Sequence, residues 1–95
     1  MKLETQDYVI SIKGNISTIS DFESIKQSLE EIRSRHDKII LKIFDSLVIN
    51  SSLIGYLVKI VNQDGVIINL FAGNDILYEL LDDLGLAKTL NLQKI

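Results

Sequence analysis

The chain has no cysteine, no proline and no tryptophan among its 95 residues. Without cysteine there is no disulfide and no thiolate metal site, and nothing argues for an oxidising compartment. No glycine-rich loop carrying a lysine is present, which excludes phosphate cradling of the P-loop kind. No apolar run approaches the ~20 residues needed to span a bilayer. The start, Met1-Lys2-Leu3-Glu4-Thr5, also lacks the apolar core of a signal peptide. Direct membrane insertion is therefore not expected, and the cytoplasm is the expected location.

Catalytic chemistry is equally thin. His36 is the only histidine, and it falls among basic residues with no serine or cysteine placed to be activated by it. The carboxylate pairs Glu30-Glu31 and Asp82-Asp83 are neighbours in sequence, so on a helix they point apart and do not share a proton. No metal-ligand spacing is found. The expectation is a protein without a cofactor and without enzymatic activity. A net charge of −3 with mixed signs argues against binding a phosphate backbone. The one basic cluster, Arg33, Arg35, His36 and Lys38, has no interleaved aromatic residues. It reads as a solvated helix terminus, and no nucleic-acid partner is expected.

What is present is patterned. Lys2 to Thr5 is a weak strand, joined by a turn at Gln6-Asp7 to a second strand over Tyr8 to Lys13, with Ile10 and Ile12 on one face and Ser11 on the other. Ser20-Asp21-Phe22-Glu23 has the form of a capping box. Phe22, Ile25, Leu29 and Ile32 follow at helical spacing, and the helix is expected to run to about Arg35. Ile39 to Phe44 alternates as a strand, an apolar helix is predicted from about Ser51 to Asn62, and Gly65 can take the left-handed position after it. Val66 to Phe71 is another strand. Gly73-Asn74-Asp75 opens a last helix bearing Ile76, Leu77, Leu80, Leu81 and Leu84, which Gly85 closes. A short element is expected within Leu90 to Ile95.

Alternation of strands and helices implies right-handed crossovers and a largely parallel sheet. Each clear strand has one wholly apolar face, while the other carries a polar residue at its centre: Ser11, Lys42 and Asn69. Strands buried on both faces usually read as unbroken apolar runs. The predicted fold is a single α/β domain over residues 1–95 with a mostly parallel sheet of four or five strands, its helices mainly on one face.

The segment Val48-Ile49-Asn50-Ser51-Ser52-Leu53-Ile54-Gly55-Tyr56-Leu57 carries the most information. An apolar pair leads into a short polar step, and a strongly apolar helix begins at once. Asn50 or Ser51 can cap that helix, because a short side-chain oxygen there accepts from an unpaired N–H of the first turn. The same place favours an anion, so a serine hydroxyl here is either a cap or a well-tolerated phosphate position. On a helical wheel Leu53, Tyr56, Leu57, Ile60 and Val61 form one stripe that Ile54 and Val58 widen. The apolar arc is about twice the ~100° that faces a core. Either neighbouring helices bury the excess or it forms a docking surface.

The order of elements and the step Ile49-Asn50-Ser51-Ser52-Leu53-Ile54-Gly55 resemble the STAS domain of bacterial anti-sigma factor antagonists. That family's fingerprint is an apolar pair, Asp, Ser, a small residue, Gly, an aliphatic residue and Gly. Ile49, Ser51, Ser52, Ile54 and Gly55 match it. Gly14-Asn15-Ile16 is similar to the family's turn before its first helix, and Leu81, Gly85 and Leu86 to its C-terminal Leu, Gly and Leu. The chain departs from the pattern at Asn50, Lys42 and Leu53, which stand where the family has Asp, Asp and Gly.

The resemblance implies a binding module whose partner is an anti-sigma factor, often a serine kinase. That kinase would phosphorylate Ser51 and so break the complex, with ATP and catalytic groups belonging to the partner. The implied docking residues are Gly14, Asn15, Asn50, Ser51, Ser52, Ile54, Gly55 and Val58. Lys42 would favour a nearby phosphate electrostatically. The alternative is a STAS-like subunit that is never phosphorylated and docks on a transporter or a signalling scaffold.

Overall fold

A computed structural model describes all residues, 1–95. The order is β1 (Lys2–Gln6), β2 (Val9–Lys13), α1 (Ile19–Arg33), β3 (Lys38–Ile43), α2 (Ser51–Asn62), β4 (Ile67–Ala72), α3 (Asp75–Asp83) and β5 (Gln93–Lys94). The strands form one five-stranded sheet in the order β1-β2-β3-β4-β5. β1 runs antiparallel to β2, and every other neighbouring pair is parallel, so the sheet is mixed. Only a hairpin can join adjacent antiparallel strands through two residues. Asp7, at a φ of 54°, makes that tight turn, one residue later than expected.

The layering follows from strand parity. Ile10 and Ile12 of β2, Ile39, Leu41 and Ile43 of β3, and Ile68, Leu70 and Ala72 of β4 are all buried on one face. They form a single core with Ile25, Leu29 and Ile32 of α1, Leu53, Leu57 and Ile60 of α2, and Leu77 and Leu81 of α3. The opposite face carries Ser11, Lys42, Asn69 and Phe71, all only half-buried. Three helices on one side and a partly wet sheet on the other is the arrangement the alternation implied.

Two local readings are corrected. The capping box of α1 is built by Thr18 and Asp21 rather than Ser20 and Glu23. Thr18 Oγ1 accepts from the Asp21 N–H at 3.0 Å, and the Asp21 carboxylate accepts from the N–H groups of Ser17 and Thr18. Two overlapping boxes compete in this stretch. The one with the shorter acid collects two donors at once, which starts the helix two residues early and holds the Asp21 pKa below the usual carboxylate range.

The basic end of α1 is also not simply solvated. Arg33 reaches Asp64 in the turn after α2 at 2.7 Å, and this contact raises the guanidinium pKa. No helix is long and apolar enough to cross a membrane.

Candidate functional site

Parallel strands bring their following loops to one edge of a sheet, and here the starts of α1, α2 and α3 all lie at the carboxyl end of β2, β3 and β4. The loop between β3 and α2 is the organiser. Ser46 is the one fully buried polar residue. Its hydroxyl accepts from the Ile16 N–H at 3.0 Å and donates to the Val48 carbonyl. Its own carbonyl accepts from the Asn74 side chain at 2.9 Å, which ties in the start of α3. The Asp45 carboxylate takes the Gly14 N–H at 2.6 Å, and the Asn15 side chain takes the Leu47 N–H at 3.0 Å. Apart from the bond to Val48, these join positions some thirty residues apart in sequence.

Two glycines permit the close packing. Gly14 has a φ of 88°, and a Cβ there would stand 3.1 Å from the Met1 Cα. A Cβ at Gly73 would stand 2.7 Å from the Phe44 Cα, so the turn into α3 can pass the end of β3 only without a side chain.

The cap of α2 is settled between the two candidates. Asn50 Oδ1 accepts from the Leu53 N–H at 2.8 Å, and the Asn50 amide donates to the Thr18 carbonyl at 3.4 Å. Ser51 and Ser52 therefore stand exposed as the first two helical residues, with the capping position filled by another side chain. The first turn of α2 holds no acidic residue, whereas those of α1 and α3 hold Asp21 and Asp75.

The other expected docking residues divide into two groups. Gly14 and Asn15 are engaged by their own chain, as the bonds above show. Gly55 is exposed in mid-helix, and nothing lies within 4 Å of where its Cβ would be. Ile54 and Val58 are half-buried, and Ile54 packs against the core rather than standing free. The surplus apolar arc of α2 is shared out. Tyr56 is taken up by α1, where it meets Phe22 edge-on and donates to Glu30, and the opposite flank, Ile54 and Val58, is not.

Lys42 does not stand at the helix start. It points from mid-β3 onto the open face of the sheet, beside Ser11 and Glu4 in a shallow polar hollow of about 390 Å³. A second polar hollow of about 300 Å³ lies between the β1–β2 turn and the end of α1. Neither is at the α2 start, and no cluster of three His, Asp or Glu could hold a metal ion.

Sequence reasoning missed the rim of the site. Ile19 at the start of α1 is 77% exposed, Leu47 and Val48 in the β3–α2 loop 47% and 46%, and Ile76 at the start of α3 59%. Four aliphatic side chains in water, two on the β3–α2 loop and two in the first turns of α1 and α3, stand on segments that the hydrogen bonds above hold in place, so they are not a frayed edge. The available signal was the Leu47-Val48 pair, which belongs to neither the strand alternation before it nor the helical spacing after it. In comparisons with known proteins, no family model, no curated protein and no solved structure matches the chain.

Proposed function

We propose that this chain is a regulatory binding module of the anti-sigma factor antagonist kind, whose partner docks on the carboxyl end of the sheet and is displaced by phosphorylation of Ser51. One observation carries the reading: Ser51 is an exposed serine at the first position of an acid-free helix start that Asn50 caps, at the same end of the sheet as exposed Ile19, Leu47, Val48 and Ile76. A phosphate there meets unpaired N–H groups and the positive end of the helix dipole. It adds roughly −1.5 to −2 charge in the middle of an apolar docking surface, which disfavours the docked partner. The helix is stabilised and the complex is broken by the same group. ATP and the transferring machinery belong to the partner, an anti-sigma factor with serine kinase activity.

The departures at Asn50 and Lys42 bear on this reading differently. Asn50 keeps the capping bond that an aspartate would make, without its charge. Lys42, on the open sheet face, has no part in the switch.

The test is phosphorylation by the cognate kinase followed by mass spectrometry, with partner binding measured in parallel. Ser51→Ala is expected to fold and bind but resist phosphorylation, and Ser51→Asp to bind more weakly at a melting temperature no lower than the parent's. Phosphate found only elsewhere would overturn the switch. Unmodified protein recovered bound to a transporter subunit would favour the scaffold alternative.

A further inference from the structure

α3 carries more aliphatic surface than its core contacts use. Leu77 and Leu81 are buried, yet Ile76, Leu80 and Leu84 stand 59%, 37% and 53% exposed. Their spacing of four places them in one row along the helix, the kind of ridge that fits the groove of another helix. The row is ~12 Å long at 1.5 Å per residue.

Its position is fixed by the other flank. Tyr78 lies under the Lys94 ammonium of β5 at 4.9 Å, and Asp75 pairs with the same lysine at 3.1 Å. The aliphatic row is on the opposite side of the helix, toward α2. On α2, Tyr56 faces α1, so the half-buried Ile54 and Val58 are on the side toward α3. Two apolar flanks thus border the surface between α2 and α3.

Charge identifies the occupant. Glu79 and Asp83 form a parallel row beside the aliphatic one, and neither is in an ion pair. The last turn of α3 contains no basic residue, whereas those of α1 and α2 contain Arg33 and Lys59. Asp82 and Asp83 instead sit at the negative end of the helix dipole, an arrangement that destabilises the isolated helix and that a nearby cation relieves. A second copy of this chain would set the same acidic row against itself, and an anionic lipid surface would be repelled.

We infer that the surface between α2 and α3 receives a basic amphipathic helix of a partner protein. The partner's aliphatic ridge packs along Ile76, Leu80 and Leu84, and its Lys or Arg side chains pair with Glu79 and Asp83. The inference deepens the docking reading above and rests on it for the partner's being a protein. Ile76 is shared with the surface around Ser51, whereas Glu79, Leu80, Asp83 and Leu84 take no part in the Ser51 switch.

The probe is a synthetic helical peptide of about 15 residues with leucines four apart and flanking lysines, long enough to hold a helix when docked. It is titrated into the unphosphorylated protein, so a failed Ser51 switch leaves the result untouched. Binding is expected to shift the amide resonances of Ile54 to Val58 and Ile76 to Leu84. Replacing the flanking lysines with glutamates is expected to weaken binding at least about tenfold. The double substitution Glu79→Lys, Asp83→Lys is expected to weaken the lysine peptide by a similar factor, with a melting temperature no lower than the parent's. Because both sites are exposed, loss of fold does not confuse that result. Leu80→Gln is expected to weaken both peptides alike. Equal binding of the lysine and glutamate peptides, or resonance shifts confined to other surfaces, would overturn the inference. So would a dimer in sedimentation that Leu80→Gln dissolves, since the surface would then belong to a second copy.

Discussion

The two ends of the sheet are built on opposite plans. At the carboxyl end, short uncharged side chains (Asn15, Ser46, Asn50 and Asn74) bind backbone groups of neighbouring loops, with Asp45 as the one charged contributor. Four aliphatic side chains, Ile19, Leu47, Val48 and Ile76, are left in water there beside polar ones such as Ser51 and Asp75. At the amino end the surface is made of charge. Asp7, Glu31, Arg35 and His36 line a polar hollow, Arg33 bridges Glu30 and Asp64, and the His36 ring leans on Tyr8. Charge at an edge keeps water on it. Backbone-directed bonds beneath an aliphatic surface do the reverse, because they order the loops before anything binds and so lower the entropy lost on docking. The difference is what favours the carboxyl end as the docking surface proposed above.

The largest effect is expected where that order is buried. In Ser46→Ala the Ile16 N–H loses its acceptor inside the protein and the Val48 carbonyl loses its donor. Leaving buried polar groups unpaired costs about 1–3 kcal/mol each, with the part-buried Val48 carbonyl at the low end. Thermal or urea unfolding is expected to show that loss. Amide exchange in residues 14–18 and 46–50 should accelerate, while the amino-end strands keep their protection. A variant as stable as the parent would mean that the two loops are held by packing alone, and the contrast between the ends would lose its basis.

Gly55→Ala is expected to act with the opposite sign. The residue is exposed in mid-helix with open space around it. Alanine there removes backbone freedom from the unfolded chain and should stabilise the protein by about 0.5–1 kcal/mol. If a partner packs closely on this stretch of α2, the added methyl group should weaken binding even as the melting temperature rises. A gain in stability with unchanged binding would move the docking surface off this part of the helix. Partner titrations against both proteins separate the two outcomes.

The distribution of these effects explains how much of the molecule was legible in its sequence. Alternation in β2, β3 and β4 carried both the strand positions and the one-sided layering, because parity alone decides which face each residue takes. Ser11, Lys42 and Asn69 lie on the open face for that reason. Boundaries moved by one or two residues, most clearly at α1, where Thr18 and Ser20 both head an acceptable box and only the neighbouring Asn50 and Ser17 contacts distinguish them. The site was legible in part. The helix start at Asn50 and Ser51 followed from local chemistry, since a cap and its helix are contiguous, but which of the two caps did not. Ser46 and Asn74 were not, because their partners are some thirty residues away and no periodic pattern links them. Leu47 and Val48 look like core residues until the loop bonds that turn them outward are known.

The smallest expected effect lies toward the charged end, and pH brings it out. Partial burial and the bond to Glu30 push the Tyr56 pKa up from 10.0 to about 12. A raised pKa means that the folded state holds the proton more tightly than the unfolded chain. The corresponding stability is fully present below pH 10, where both states are protonated, and is lost as the pH rises from there to about 12. Tyr56→Phe has no proton to lose. At neutral pH it gives up one hydrogen bond to a carboxylate that is already in solvent, worth at most about 1 kcal/mol. Above pH 10 its stability curve should fall less steeply than the parent's, so the two curves converge. Chemical denaturation at steps from pH 8 to pH 11 measures this directly, with the tyrosine absorbance near 295 nm reporting ionisation of the folded protein. Parallel curves across that range would show that Tyr56 titrates as a surface phenol and that α1 and α2 are not joined through its hydroxyl. The two helices would then meet at Tyr56 only through its edge-on contact with Phe22.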